Sequence, residues 1–145
     1  MKTVVFAGTF APFTRGHYDI VKRALSMFDK VIVAIGNNVE KSMKLTPEQR
    51  KAFIESVYVD EPRVEVAVYD GLTVDFARSI GASALLRGVR SVKDFEYERD
   101  LADVNMRIGG IETVILISSP EYAVVSSSLV RELISHGKDV SEFLP

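Results

Sequence analysis

Residues 8–17, the glycine loop, have the residue types and the spacing that suit a phosphate site. They read Gly-Thr-Phe-Ala-Pro-Phe-Thr-Arg-Gly-His and separate an apolar run from a segment with helical periodicity. Such a strand–loop–helix junction offers an anion unpaired backbone N–H groups and the positive end of a helix dipole. Gly8 permits a sharp turn, Gly16 lets a ligand approach the backbone, and His17 would face the bound anion. An ordinary strand–helix loop has similar residues, so both interpretations stay open at this point.

The composition of the chain limits the functions that the glycine loop could have. The 145 residues carry a net charge of −2 and are 47% hydrophobic, so we expect a single domain over residues 1–145 and no nucleic-acid partner. Without cysteine, and with only His17 and His136, the chain offers no thiol nucleophile or typical zinc site, and we assign no metal ligand. No apolar run approaches the roughly 20 residues that span a bilayer. No signal segment opens the chain, so we expect a cytoplasmic protein with no membrane partner.

Five short apolar segments alternate with segments of helical periodicity. The predicted strands are residues 3–7, 31–35, 64–69, 84–86 and 113–117, and the predicted helices are residues 17–28, 47–58, 72–80, 94–108 and 128–134. This alternation predicts an α/β fold: one Rossmann-like, doubly wound domain with a five-stranded parallel sheet. The second helix should begin in a capping box made by Thr46 and Gln49, and its inward side chains should be Ala52, Phe53 and Val57.

The carboxyl ends of parallel strands lie at one rim of the sheet, where doubly wound folds bind their ligands. Around the predicted strand ends the residues are largely cationic or hydroxylic: Thr9, Thr14, Arg15, His17, Lys41, Lys44, Arg87, Arg90, Ser126, Ser127, Ser128 and Arg131. Positive charge concentrated there indicates a site for a polyanion. Arg87 and Arg90 flank Gly88, so guanidinium groups could bind phosphate beside open backbone. Lys41 and Lys44, taken singly, are more typical of a solvated loop, and serines before a helix are often plain caps.

Several well-known signatures are absent from the sequence. It contains no P-loop, no dinucleotide-binding fingerprint and no serine–histidine–acid set. Cationic groups without a nucleophile indicate phosphoryl or nucleotidyl transfer, in which positioning and charge stabilisation supply most of the catalysis.

Thr14-Arg15-Gly16-His17 resembles the (His/Thr)-x-Gly-His signature of the nucleotidyltransferase superfamily. With Gly8-Thr9-Phe10, residues 87–90, 94–98 and 126–131 in this order, the chain resembles the bacterial phosphopantetheine adenylyltransferase family over nearly its whole length. The resemblance implies adenylyl transfer from ATP to 4′-phosphopantetheine, which gives dephospho-coenzyme A and pyrophosphate, the penultimate step of coenzyme A synthesis. It also implies dependence on Mg²⁺ and a homohexamer, a dimer of trimers.

The resemblance further assigns roles to residues. His17 and Lys41 would be catalytic and would stabilise the charge that develops on the α-phosphoryl oxygens. The phosphopantetheine site would consist of Thr9, Lys41, Thr73 and Arg87. The ATP site would consist of Thr9, Phe10, His17, Gly88, Val89, Arg90, Glu98, Tyr122, Ala123, Val124, Val125, Ser126, Ser127 and Ser128.

Two features depart from the family pattern. Ala11 stands where the family usually has an aspartate, and the chain stops at Pro145 where family members usually continue into a further short helix, which bears on oligomer contacts. Two alternatives therefore stay open. One is a transferase with another acceptor, such as a mononucleotide or a sugar or polyol phosphate, against which the Arg87 region argues. The other is a nucleotide-binding module that has lost activity, for which Ala11 is the only support.

Overall fold

The computed structural model describes residues 1–37 and 45–145. In these residues the strands are β1 (Thr3–Gly8), β2 (Lys30–Gly36), β3 (Val64–Tyr69), β4 (Ala84–Val89) and β5 (Glu112–Ile117). The helices are α1 (Arg15–Ala24), α2 (Pro47–Val57), α3 (Thr73–Ser79), α4 (Val92–Gly109) and α5 (Ser127–Ser135), with 3₁₀ turns at Pro120–Tyr122 and Ser141–Phe143. The strand–helix alternation predicted from the sequence is confirmed.

The strands form one parallel sheet in the order β3–β2–β1–β4–β5. This order confirms the predicted doubly wound, five-stranded parallel sheet. The chain builds outward from β1 to β3 and then returns to the other side of β1 to add β4. The connection after β1 therefore leads toward β2, and the connection after β4 leads in the opposite direction toward β5. This divergence opens a crevice beyond the carboxyl ends of β1 and β4. The glycine loop leaves β1 at this point, and Arg90 directly follows β4.

Both faces of the sheet are covered, which explains why the strands are apolar without alternation. Val4 and Phe6 of β1 point to the face packed against α1 and α2, whereas Val5 and Ala7 point to the face packed against α3. Side chains on neighbouring strands follow the same alternation because the register of the parallel ladder is regular. The central strand β1 is thereby held rigidly, and the loop that leaves it starts from a fixed position.

Two predicted boundaries were wrong. The first helix ends at Ala24 and not near Phe28, because the chain tightens into a turn in which the backbone N–H groups of Met27 and Phe28 both donate to Ala24. β4 continues beyond residue 86 to Val89, because residues 87–89 pair with residues 115–117 of β5. The residues from Arg87 to Val89 therefore belong to the strand and not to the loop after it.

The predicted start of α2 is confirmed, whereas part of its inward face was wrong. The backbone N–H of Gln49 donates to Thr46 Oγ1 at 3.1 Å, and the backbone N–H of Thr46 donates to Gln49 Oε1 at 2.9 Å. Ala52 is exposed, because the helix is rotated so that Arg50 and Ile54, one turn apart, face the protein interior. Across residues 1–37 and 45–145, no helix combines the length and apolarity that crossing a membrane requires.

Candidate active site

Two clefts open at the carboxyl ends of the strands and share one wall. Cleft 1, of about 270 Å³, lies at the β1–β4 crevice between the glycine loop, the end of β4 and the start of α5. Cleft 2, of about 470 Å³, lies on the side of α3 and α4. Ala7, Gly8, Thr9 and Arg87 line both clefts. Two ligands that occupy these clefts would therefore meet beside Thr9 and Arg87.

The glycine loop has a special backbone conformation at Phe10. This residue has a φ of +52°, in the left-handed region that side chains other than glycine rarely adopt. Its ring is 3% exposed and stands edge-on to Phe6 and to the imidazole of His17, with centroid separations of 5.1 and 5.0 Å. Conformations of this kind persist only where the surroundings fix them, and they are common at functional sites.

His17 lies in the first turn of α1 and lines cleft 1. The backbone N–H of Thr14 donates to His17 Nδ1 at 2.9 Å, so Nδ1 must carry a lone pair and the neutral ring must carry its proton on Nε2. Burial among aromatic rings, together with the charges of Arg87 and Arg90, lowers the pKa of His17 to about 4. At neutral pH, His17 is therefore an uncharged ring that can donate one hydrogen bond through Nε2.

The shared wall contains a bidentate ion pair between Arg87 and Glu98. Arg87 Nε and Nη2 each donate to a carboxylate oxygen of Glu98 at 2.7 Å, and Nη1 donates to the carbonyl of Ala7. Burial alone would lower the pKa of Arg87, but the hydrogen bonds and the charge of Glu98 outweigh it and raise the pKa above its ordinary value. Glu98 is 6% exposed, so the pair fixes the guanidinium between the two clefts.

The serines at the start of α5 contribute differently to cleft 1. Ser126 is a plain cap, because its hydroxyl accepts from the backbone N–H of Leu129 at 3.1 Å. The Ser127 hydroxyl donates to the carbonyl of Pro12 at 2.7 Å and ties the helix to the glycine loop. The backbone N–H groups of Ser127 and Ser128, the first two helical positions, lack partners within the helix, so they are available to an anion in the cleft.

Gly88 lines cleft 1, and packing also favours glycine at this position. A Cβ at Gly88 would lie 3.3 Å from Cγ1 of Ile20, so a side chain there would press against α1. Arg90 follows at the end of the strand, where its backbone N–H donates to the carboxylate of Asp94 at 3.1 Å. The close packing of β4 on α1 thus brings Arg90 to the same cleft as His17.

Cleft 2 has a different character. Its lining combines polar groups with a row of apolar side chains from α4 and the turn before α3, with Leu72, Leu101, Val104 and Ile108 among them. Thr73 also lines it, with its hydroxyl 2.6 Å from the hydroxyl of Tyr69. An elongated ligand with an apolar arm fits such a groove better than a compact polar one.

Most of the residues predicted from the sequence come together in the two clefts. In cleft 1 lie Thr9, Phe10, His17, Arg87, Gly88, Arg90, Val125, Ser126, Ser127 and Ser128. In cleft 2 lie Thr9, Thr73, Arg87 and Glu98, so Glu98 stands on the side away from its predicted ATP partners. Neither lining includes Val89, which is buried in β4, or Tyr122, Ala123 and Val124, which lead into α5. Lys41 and Lys44 lie outside the described residues.

One residue near the site escaped the sequence analysis. Arg50 of α2 is 3% exposed, and its Nη1 donates to the carbonyl of Thr9 at 2.6 Å. The signal that could have revealed it is its position one helical turn before Ile54, which places a charge within the apolar stripe of α2.

A parallel sheet with a glycine loop and a helix N-terminus at its switch point defines a Rossmann-like nucleotide-binding class of protein. The family model for cytidylyltransferase-like proteins matches residues 5–133. The phosphopantetheine adenylyltransferase of Bacteroides thetaiotaomicron is 48% identical over 100% of this chain and 96% of its own length. That of Porphyromonas gingivalis is 53% identical over 97% of this chain and 92% of its own length. The chain therefore belongs to the cytidylyltransferase-like family and, within it, to the phosphopantetheine adenylyltransferases.

Solved structures give the same fold. The bifunctional NMN adenylyltransferase/ADP ribose pyrophosphatase of Francisella tularensis superposes with a TM-score of 0.73 at 19% identity. The match covers 99% of this chain and 44% of that one, so this chain spans less than half of the bifunctional protein. At this identity, the likeness supports the fold alone.

Proposed function

We propose that the chain catalyses the reversible transfer of the adenylyl group of ATP to 4′-phosphopantetheine, which gives dephospho-coenzyme A and pyrophosphate. The observation that carries this proposal is the wall that the two clefts share at Thr9 and Arg87. Cleft 1 offers the cationic and N–H groups that a triphosphate needs, and cleft 2 offers an apolar groove for a pantetheine arm. The two phosphates that must react would meet between them.

The reaction needs no covalent intermediate on the protein. An oxygen of the acceptor phosphate attacks the α-phosphorus of ATP in line and forms a new P–O bond. The bond from the α-phosphorus to the bridging oxygen breaks, and its electron pair leaves with pyrophosphate. Catalysis then consists of orienting the two phosphates and stabilising the charge that develops on them.

His17 has the protonation state that stabilising this charge requires. Its Nε2–H donates to an α-phosphoryl oxygen and strengthens this bond as negative charge grows there. The ring stays neutral because its pKa is lowered to about 4, so it gives up no proton during the reaction. The Thr14 N–H bond to Nδ1 fixes both the tautomer and the ring orientation before substrates bind.

Arg87 is proposed to orient the acceptor phosphate. Two of its nitrogens are engaged by Glu98 and the third by Ala7, which uses three of the five N–H donors of a guanidinium. The two remaining N–H groups are on the terminal nitrogens, and a phosphate at the shared wall can accept hydrogen bonds from them. Arg90 and the N–H groups that begin α5 would hold the β- and γ-phosphates of ATP. Lys41, outside the described residues, remains a proposed second cation at the α-phosphate.

We propose that Mg²⁺ enters as part of the ATP substrate. Among the residues that the structure describes, no group of three or more His, Cys, Asp or Glu side chains could hold a metal ion. The lining of cleft 1 contains hydroxyl groups but no carboxylate, and Ala11 offers none where the family usually has an aspartate. This donor set fits an ion held mainly by phosphate oxygens and water, with Thr9 or a serine hydroxyl as the protein ligand. When bound, the ion would neutralise the charge of the departing pyrophosphate.

The assay that tests the function is pyrophosphate release. Purified protein mixed with ATP, Mg²⁺ and 4′-phosphopantetheine should release pyrophosphate, and omission of the acceptor should abolish the release. Nicotinamide mononucleotide and glycerol 3-phosphate serve as alternative acceptors. Faster turnover with either would assign the chain to a related transferase, and ATP binding without any turnover would indicate an inactive nucleotide-binding module.

We further propose a homohexamer that works in the cytoplasm, where ATP is abundant. Support for assembly comes from apolar side chains that α4 exposes outside cleft 2, Val92, Phe95 and Met106. Light scattering after size exclusion should give six times the mass of one chain. A monomer at micromolar concentration would contradict the hexamer, and recovery of the protein with membranes after cell fractionation would contradict the location.

A further inference from the structure

Three arginine side chains from three different elements hold alternate carbonyl groups at the end of β1 and in the glycine loop. Each guanidinium takes one of them: Arg87 of β4 that of Ala7, Arg50 of α2 that of Thr9 at 2.6 Å, and Arg131 of α5 that of Ala11 at 2.7 Å. Arg87 also lines both clefts, whereas Arg50 lines neither.

The carbonyl that Arg50 holds belongs to the peptide unit that enters Phe10. A peptide unit is planar, so an anchor on the Thr9 oxygen fixes the direction of the Phe10 N–H as well. In a trans peptide the N–H points opposite to the carbonyl, hence away from Arg50. Within the part of the chain that the structure describes, the Phe10 N–H donates to no protein acceptor. It is therefore available to a ligand in cleft 1, which Phe10 lines.

The same bond fixes the backbone angle at Phe10. The phenyl ring is held by Phe6 and His17, and the peptide plane before it is held by Arg50, so rotation about the N–Cα bond is blocked at both ends. Relaxation of Phe10 from its φ of +52° to an ordinary negative φ would require breaking the bond to Arg50 or moving the ring off His17.

The side-chain contacts of Arg50 are consistent with a role in fixing the backbone. Its guanidinium is buried, its Nε donates to the carbonyl of Thr46 at 3.4 Å, and its Nη1 donates to Thr9. Both contacts are to backbone oxygens, one at the start of α2 and one in the glycine loop. Burial lowers the pKa of Arg50 below its ordinary value, although the charge of Glu48 acts in the opposite direction.

We propose that Arg50 is a positioning residue for adenylyl transfer: through the Thr9 carbonyl it holds Phe10 in its left-handed conformation, aims the Phe10 N–H into cleft 1 and keeps the His17 ring packed in its donating orientation. This role rests on the proposed function. It extends that function to a residue of α2 that touches neither substrate.

The test compares Arg50→Met with Arg78→Met. Arg78 of α3 is the control for loss of an arginine–carbonyl bond between elements, because its guanidinium donates to the carbonyl of Gly109 at the end of α4, away from cleft 1. Arg50→Met should lower the melting temperature more than Arg78→Met, because Arg50 is buried and Arg78 is exposed. Arg50→Met should reduce kcat about 10- to 100-fold, because small misplacements of reacting groups have effects of this size. Arg78→Met should keep a kcat within twofold of the parent value, and Arg50→Lys, which keeps a cationic donor group, should recover part of the lost kcat.

A second readout does not depend on turnover. The chain has two histidines, so the imidazole signals of His17 and His136 can be followed separately by NMR. In Arg50→Met the titration midpoint of His17 should move up from about 4 toward the ordinary 6.5 as the ring loosens, and His136 should not change. An unchanged His17 midpoint together with a kcat within twofold of the parent would overturn the proposed role. If the parent releases no pyrophosphate, the function fails, while the His17 titration still decides whether Arg50 fixes the loop.

Discussion

Cleft 1 and cleft 2 are built in opposite ways. Cleft 1 is formed by backbone and buried side chains, with Phe10 only 3% exposed and its neighbours tied by hydrogen bonds from three helices and a strand. Cleft 2 also contains apolar side chains that remain about half exposed, with Leu72, Val104 and Ile108 at 57%, 47% and 57%. Cleft 1 is therefore preorganised by its hydrogen bonds, whereas the proposed acceptor arm would bind mainly by contact with these exposed apolar side chains. Changes in cleft 1 should alter kcat, and changes in cleft 2 should alter the KM of the acceptor.

The largest expected effect comes from His17→Ala, which removes the donor to the α-phosphoryl oxygen. It should lower kcat by about 100- to 1,000-fold, the usual cost of losing one donor to a developing oxyanion. Pyrophosphate release at saturating substrates measures it, and His136→Ala, at the exposed end of α5, should have no effect.

His17→Ala also breaks the capping box of α1, because the Thr14 N–H loses its acceptor. A second variant separates this loss from the chemistry. Glutamate is a usual residue at this position of a capping box and has no N–H to donate, so His17→Glu should restore the cap and the parent melting temperature while kcat stays low. A His17→Glu enzyme with parental kcat would show that the imidazole does not stabilise the reacting phosphate.

The contrast between cleft 1 and cleft 2 also explains which features of the site the sequence could predict. The glycine loop and the capping box of α2 need particular residue types within a few positions, so their chemistry is visible locally. The extension of β4 through Arg87 and Gly88 is not visible, because it depends on pairing with β5, and neither residue favours a strand on its own. The burial of Arg50 is hidden for a similar reason, since its partner is a backbone carbonyl 41 residues away. The apolar residues of cleft 2 resemble those of any helix surface until α3 and α4 come together.

A smaller effect is expected in cleft 2. Ile108→Ala removes part of the apolar groove and should raise the KM for 4′-phosphopantetheine about tenfold, which corresponds to a loss of roughly 1.4 kcal/mol of apolar contact. The kcat and the KM for ATP should stay near the parent values, because Ile108 lines cleft 2 and not cleft 1. Ile134→Ala is the matched control, since Ile134 is 51% exposed near the end of α5. A fall in kcat with an unchanged acceptor KM would contradict the expectation that changes in cleft 2 alter acceptor binding and leave kcat unchanged.

The smallest expected effect is that of pH: kcat should hardly fall between pH 7 and pH 5. With a pKa of about 4, roughly nine-tenths of His17 is still neutral at pH 5, whereas an ordinary histidine with a pKa of 6.5 would be almost fully protonated. The kcat should therefore stay within about twofold of its neutral value down to pH 5 and fall as the pH approaches 4. Because the folded-state pKa lies below the unfolded value, the contribution of His17 to stability is complete above pH 6.5 and is lost as the pH falls toward 4. Circular dichroism at each pH separates unfolding from loss of turnover. A kcat that falls with a midpoint near 6.5 while the fold stays intact would mean that the ring is solvated, and the preorganisation that distinguishes cleft 1 from cleft 2 would then be absent.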